Sequence, residues 1–89
     1  MSNEILKERG SVYGDFGVNL NARGSIMEEL ELVHLKKNDE ISFSPMDSQA
    51  INDIVIKLVR LAASPEHVDS WEDISNYARL NVDRLTKDK

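Results

Sequence analysis

Ser44-Pro45-Met46-Asp47-Ser48-Gln49-Ala50-Ile51-Asn52-Asp53-Ile54-Val55-Ile56-Lys57-Leu58-Val59-Arg60-Leu61-Ala62-Ala63-Ser64-Pro65 is the stretch that decides the fold. Ser44 offers an N-cap hydroxyl, Pro45 suits the first helical position, and Asp47 stands three residues after the cap, near the positive end of the helix dipole. Ile51, Ile54, Val55, Leu58, Leu61 and Ala62 then recur at the i, i+3, i+4, i+7 spacing of a buried helical face. The helix must stop before Pro65, whose ring pushes Ser64 out of the helical region.

Downstream, Asp69-Ser70-Trp71-Glu72 has the form of a capping box, with Asp69 accepting from the new helix and Glu72 reaching back. It predicts a last helix over about 70–86, with Trp71, Ile74, Ala78 and Leu85 on one face, flanked by Tyr77 and Val82. Upstream, Phe16, Leu20, Met27 and Leu30, with Ile26, Val33 and His34 alongside, predict a helix out to about Lys36. Gly17 and Gly24 are where it could break. Residues 37–43 read as a polar connection with Ile41 and Phe43 tucked onto the core. Residues 3–9 suit a short helix capped by Ser2 or Asn3 and ended by Gly10. No stretch shows strand alternation between hairpin turns. The expectation is an all-α fold: one domain over 1–89, a small bundle of three main helices plus a short N-terminal one.

The chain has 89 residues and no cysteine, with 11 basic against 16 acidic side chains and a net charge of −5. A lone core in so short a chain would be thin, so self-association into a homo-oligomer is expected. The acid excess is spread over both halves, without a basic tail or stripe, which argues against duplex nucleic acid and anionic membranes as partners. No apolar run approaches the roughly 18–20 residues needed to span a bilayer, and Met1-Ser2-Asn3-Glu4 lacks the features of a signal peptide. The expected location is the cytoplasm.

Three groups of residues could carry chemistry. Asp53, Lys57, Arg60 and Ser64, spaced 4, 3 and 4, share one polar helix face. If the turn through Pro65 sends the last helix back antiparallel, Lys57 and Arg60 face Asp69 and Asp73, with Asn76 continuing that side. Such a cluster could hold a phosphate, a hydrated Mg²⁺, or only its own ion pairs. Asp69 has a competing role as N-cap. Glu28 and Glu31, at i, i+3, form a second acidic group, to which Asp53 could add a carboxylate as an Mg²⁺ ligand. Tyr13, Asp15, Phe16 and Asn19 form a third group, where Gly14 and Gly17 allow either close approach to a flat ligand or a simple turn. Neither His34 nor His67 has a nucleophile set in a strand-to-helix elbow.

Glu8-Arg9-Gly10-Ser11-Val12-Tyr13-Gly14-Asp15-Phe16 with Asn19, then Lys57-Leu58-Val59-Arg60-Leu61, then His67-Val68-Asp69-Ser70-Trp71-Glu72-Asp73-Ile74 and Tyr77-Ala78 resemble a family of small phage-encoded, MazG-like helical proteins. The similarity spans the chain except for about residues 23–45. The larger superfamily comprises all-α nucleoside triphosphate pyrophosphohydrolases that work as oligomers with Mg²⁺ on helix carboxylates. By position, the resemblance implies that Tyr13, Asp15, Asn19, Lys57, Arg60, His67, Asp69, Asp73 and Tyr77 line a ligand cleft. The acidic signature departs from the pattern: Glu28 and Glu29 are present, but the third position is Leu32, and of the second acidic pair only Asp53 is in place. Losing carboxylates undermines metal-assisted hydrolysis before it undermines binding.

The leading expectation is therefore a nucleotide-binding protein that recognises or sequesters a nucleotide or nucleotide-derived signal. Lys57 and Arg60 would meet phosphate, and Tyr13 or Tyr77 would lie against a base. The alternatives are an Mg²⁺-dependent pyrophosphohydrolase, with Glu28, Glu31, Asp53, Asp69 and Asp73 as metal ligands, and an interaction module that inhibits a host protein.

Overall fold

A computed structural model of the chain describes residues 13–87. They form three helices: α1 (Phe16–Lys37), α2 (Pro45–Ala63) and α3 (Val68–Thr86), with no strand among the described residues. The all-α expectation holds; the short helix expected over 3–9 lies outside the described residues. None of the three helices is long and apolar enough to cross a membrane.

Each helix begins and ends where local chemistry requires. The Asp15 carboxylate accepts from the Val18 backbone N–H at 3.0 Å and caps α1, which runs through Gly17 and Gly24 without a break. His34, Lys36 and Lys37 occupy its last turn, where cations favour the negative end of the dipole. Asp39 and Glu40 then turn the chain with positive φ values of 54° and 65°. Phe43 returns to α1, its N–H donating to the Glu31 carboxylate at 3.1 Å and its ring lying 4.3 Å from that of His34. Ile41, expected on the core, is exposed because this left-handed turn faces it outward.

The Ser44 hydroxyl accepts from the Asp47 N–H at 3.1 Å, with Pro45 opening α2 and Ser64 ending it, as its sequence requires. The start of α3 differs from expectation. Its first helical residue is Val68, His67 occupies the cap position without a side-chain cap bond, and Asp69 lies inside the first turn. His67 Nδ1 and Ser70 Oγ lie 2.8 Å apart across the helix start, two residues before the interval Asp69–Glu72 that the capping box was expected to close.

In the middle of the fold, α2 packs against both α1 and α3, while α1 and α3 barely meet. The buried apolar side chains, Val55, Val59 and Leu61, all belong to α2. Leu58 and Ala62, expected in the core, are exposed, although Val55 and Ile51, earlier on the same side of α2, are buried and half-buried. A second difference lies on α3. The face turned to α2 carries Ser70, which is 1% exposed, then Asp73 and Arg84, which pair with Lys57 and Asp47 at 2.9 Å each. Trp71, Ala78, Val82 and Leu85, about a quarter turn away, remain exposed instead of forming the core. Small Ser70 permits close approach of the two helices, and the ion pairs fix their register.

Candidate functional site

The chain direction places the N-terminus of α1, the C-terminus of α2 and the N-terminus of α3 at one end of the molecule. The bend Tyr13-Gly14-Asp15 sits there against the last turn of α2. Gly14 has φ +84°, in the left-handed region that favours glycine, and a Cβ on it would meet the Ala63 Cβ and the Asn19 amide oxygen, each at 3.2 Å. The Asn19 side-chain amide donates to the Tyr13 carbonyl, tying the bend to the first turns of α1.

This bend presents the Tyr13 ring between two partners. The Arg60 guanidinium carbon lies 4.6 Å from the ring centroid, within the range of a cation–π contact. The His67 ring meets Tyr13 edge-on at 5.4 Å and 89°. Beside them opens a groove of about 720 Å³ between α1 and α2, lined by Tyr13, Gly14, Asp15, Phe16, Asn19, Leu20, Arg23, Ile56, Val59 and Arg60. Its size is in the range of small-ligand sites. Arg23 has no hydrogen-bond or ion-pair partner among the described residues. Asp15 is the acid on the lining, and its carboxylate is occupied with the α1 cap. Two guanidinium groups against one carboxylate make the groove locally positive in a chain of net charge −5.

The residues expected in the cleft thus divide. Tyr13, Asp15, Asn19 and Arg60 line the groove, and His67 touches it through the Tyr13 ring. Lys57 does not line it: its ammonium is bonded to Asp73, with the Lys57 side chain only 14% exposed. Tyr77 is half-buried on α3, its carbonyl accepting from Asn81, away from the groove. Arg23 was missed by sequence reasoning, although it lies four residues after Asn19 and continues the helical row of Asp15 and Asn19.

Of the five carboxylates weighed as Mg²⁺ ligands, three have separate engagements. Asp73 pairs with Lys57, Glu31 accepts from Phe43, and Asp53 accepts from Gln49 at 3.2 Å. Asp69 and Glu28 are exposed. Among the described residues, no three His, Asp or Glu side chains come together as a metal site.

At the opposite end, a smaller apolar cleft of about 300 Å³ lies over Ala50, Ile51 and Ile54, edged by His34, Phe43 and Leu85. Asp47 borders it, its carboxyl held below the ordinary value of 3.8 chiefly by the hydrogen bond from Arg84 and next by one from Ser44.

Compared with protein-family models, with curated proteins and with solved structures, the chain matches none.

Proposed function

We propose that the groove between α1 and α2 binds a nucleotide or nucleotide-derived signal, with Arg60 and Arg23 meeting phosphate and the Phe16 and Tyr13 rings offering stacking surfaces. The observation that carries this reading is the Arg60 guanidinium seated over Tyr13 in a groove that also contains Arg23. Stacking orients the guanidinium plane while leaving its N–H edge available, and a planar fork matches phosphate oxygens in pairs. Phe16 is 75% exposed at the groove, an apolar ring that a base could cover. Gly14 lets the bend that carries Tyr13 lie close against the last turn of α2, since a Cβ there would meet Ala63 and Asn19.

The role is recognition, as for a phage-type protein that sequesters or senses its ligand. Leu32, where the resembled superfamily has its third glutamate, argues against metal-assisted hydrolysis. Calorimetry against nucleoside mono-, di- and triphosphates and cyclic dinucleotides, with and without Mg²⁺, tests this. Saturable binding without turnover, lost in Arg60→Ala, is the expected result. Release of phosphate or pyrophosphate from any member would replace recognition with hydrolysis. Absence of binding across the panel would end the nucleotide reading.

A further inference from the structure

The helix α3 contributes no wall to the groove, yet a line of contacts runs from its first turn to the groove's cation. Ser70 is the buried polar side chain among the described residues, 1% exposed, and a buried hydroxyl requires a partner. It finds one in His67, whose Nδ1 lies 2.8 Å from the Ser70 Oγ. The His67 side chain is available for this because it makes no cap bond to α3. The backbone around it is pinned: the His67 N–H donates to the Ser64 carbonyl at 3.0 Å, and the Trp71 indole N–H donates to the Pro65 carbonyl at 2.8 Å. The imidazole, anchored by Ser70, meets the Tyr13 ring edge-on.

At the other end of the line, the Arg60 side chain makes no hydrogen bond or ion pair among the described residues. What orients its guanidinium is the Tyr13 ring, 4.6 Å away. The Tyr13 backbone is held through its carbonyl by the Asn19 amide, which leaves the side-chain torsions of the ring to be set by its neighbours. On the α3 side that neighbour is His67.

We propose that His67 is a positioning residue of the groove: Ser70 fixes the imidazole, the imidazole fixes the Tyr13 ring, and the ring holds the Arg60 guanidinium with its N–H edge free. The resemblance implied that His67 lines a ligand cleft, but it stands off the groove wall, and its effect on a ligand passes through Tyr13. An edge-to-face pair favours one mutual orientation of its rings over the others. An arginine already held in one orientation loses less side-chain freedom when a phosphate arrives, so affinity rises by preorganisation and not by a further contact. The consequence for affinity rests on the nucleotide reading of the groove. The placement of Arg60 does not.

His67→Asn and His67→Phe separate the two functions of the imidazole. Asparagine keeps a hydrogen-bonding group near Ser70 and is a good N-cap residue, but it removes the ring; phenylalanine keeps the ring and loses the bond. In ¹H–¹⁵N spectra of the full chain, the Arg60 Nε–H signal reports the ring current of Tyr13, and Tyr13→Leu marks where that signal lies without it. His67→Asn is expected to move the signal towards its Tyr13→Leu position while melting close to wild type, and His67→Phe to hold it near the wild-type position. Calorimetry with the same panel of nucleoside phosphates should show affinity lower by roughly two- to tenfold in His67→Asn and within about twofold of wild type in His67→Phe. An Arg60 signal that stays in place in His67→Asn overturns the proposal. So does a loss of affinity there without movement of the signal, since His67 would then touch the nucleotide itself, and so does an equal loss in His67→Phe. If no panel member binds, the nucleotide reading fails and the Arg60 signal still decides the positioning. Should His67→Asn not fold, Ser70→Ala, which keeps a small residue at the helix contact, takes its place with the same expected displacement, and an unmoved signal there overturns the proposal.

Discussion

Replacing Gly14 by alanine tests the bend that builds the groove, and Gly24→Ala in the same chain serves as its opposite. At Gly14 the φ of +84° puts a non-glycine residue in the left-handed region, at about 1–2 kcal/mol. The added methyl would lie 3.2 Å from the Ala63 Cβ, fixed on a helix, and from the Asn19 amide, held by its bond to the Tyr13 carbonyl. Overpacking of this kind costs about 1–3 kcal/mol. After allowing for the lower entropy of the unfolded alanine chain, the expected loss is about 2–3 kcal/mol. For a domain this size that lowers Tm by roughly 10–20 °C. Gly24 is mid-helix, and a methyl there would find no neighbouring atom within 4 Å, so alanine should stabilise by about 0.5–1 kcal/mol and raise Tm by a few degrees. Circular-dichroism melts of the three proteins at one concentration measure both. A Gly14→Ala variant that melts with or above the wild type would refute the packed left-handed bend, and with it the geometry of the groove.

Three further outcomes are expected. Asp47→Asn should destabilise the protein near neutral pH. The folded carboxyl titrates below its ordinary value of 3.8, so its contribution is present above that value and is lost as pH falls through the lower folded pKa; melts of wild type and variant should therefore converge in acid, and a gap that widens there would contradict the Arg84 assignment. Glu40→Gly should raise stability by up to about 1 kcal/mol in a chemical denaturation series, because Glu40 holds φ +65° without needing its side chain for a described hydrogen bond. Arg60→Ala should weaken nucleotide affinity about tenfold or more, by loss of a charge-assisted contact, whereas Lys57→Ala, whose ammonium already pairs with Asp73, should change it little in the same calorimetry.

Helix boundaries were legible in the sequence wherever a backbone-bonding side chain marks them. Ser44 with Pro45, and Ser64 before Pro65, act through local bonds that need no partner helix. The facing of the helices was less legible. Periodicity identifies that Trp71, Ala78 and Leu85 share a side, but not whether that side meets α2 or remains open, since Ser70, Asp73 and Arg84 formed the closer fit through one small residue and two ion pairs. The same limit applies at the candidate site. Tyr13, Asn19 and Arg60 could be grouped by motif, yet the commitment of Lys57 to Asp73 and the presence of Arg23 depend on how α1 and α3 flank α2.

Backbone chemical-shift mapping by ¹H–¹⁵N NMR, during titration with the nucleotide that binds in calorimetry, tests the central claim most directly. A ligand seated in the groove should give the largest shifts at Gly14, Asn19, Arg23 and Arg60, reduced in Arg60→Ala. Shifts concentrated at the opposite end, around His34, Phe43 and Ile54, would contradict it, and so would a titration that moves no signal of the groove.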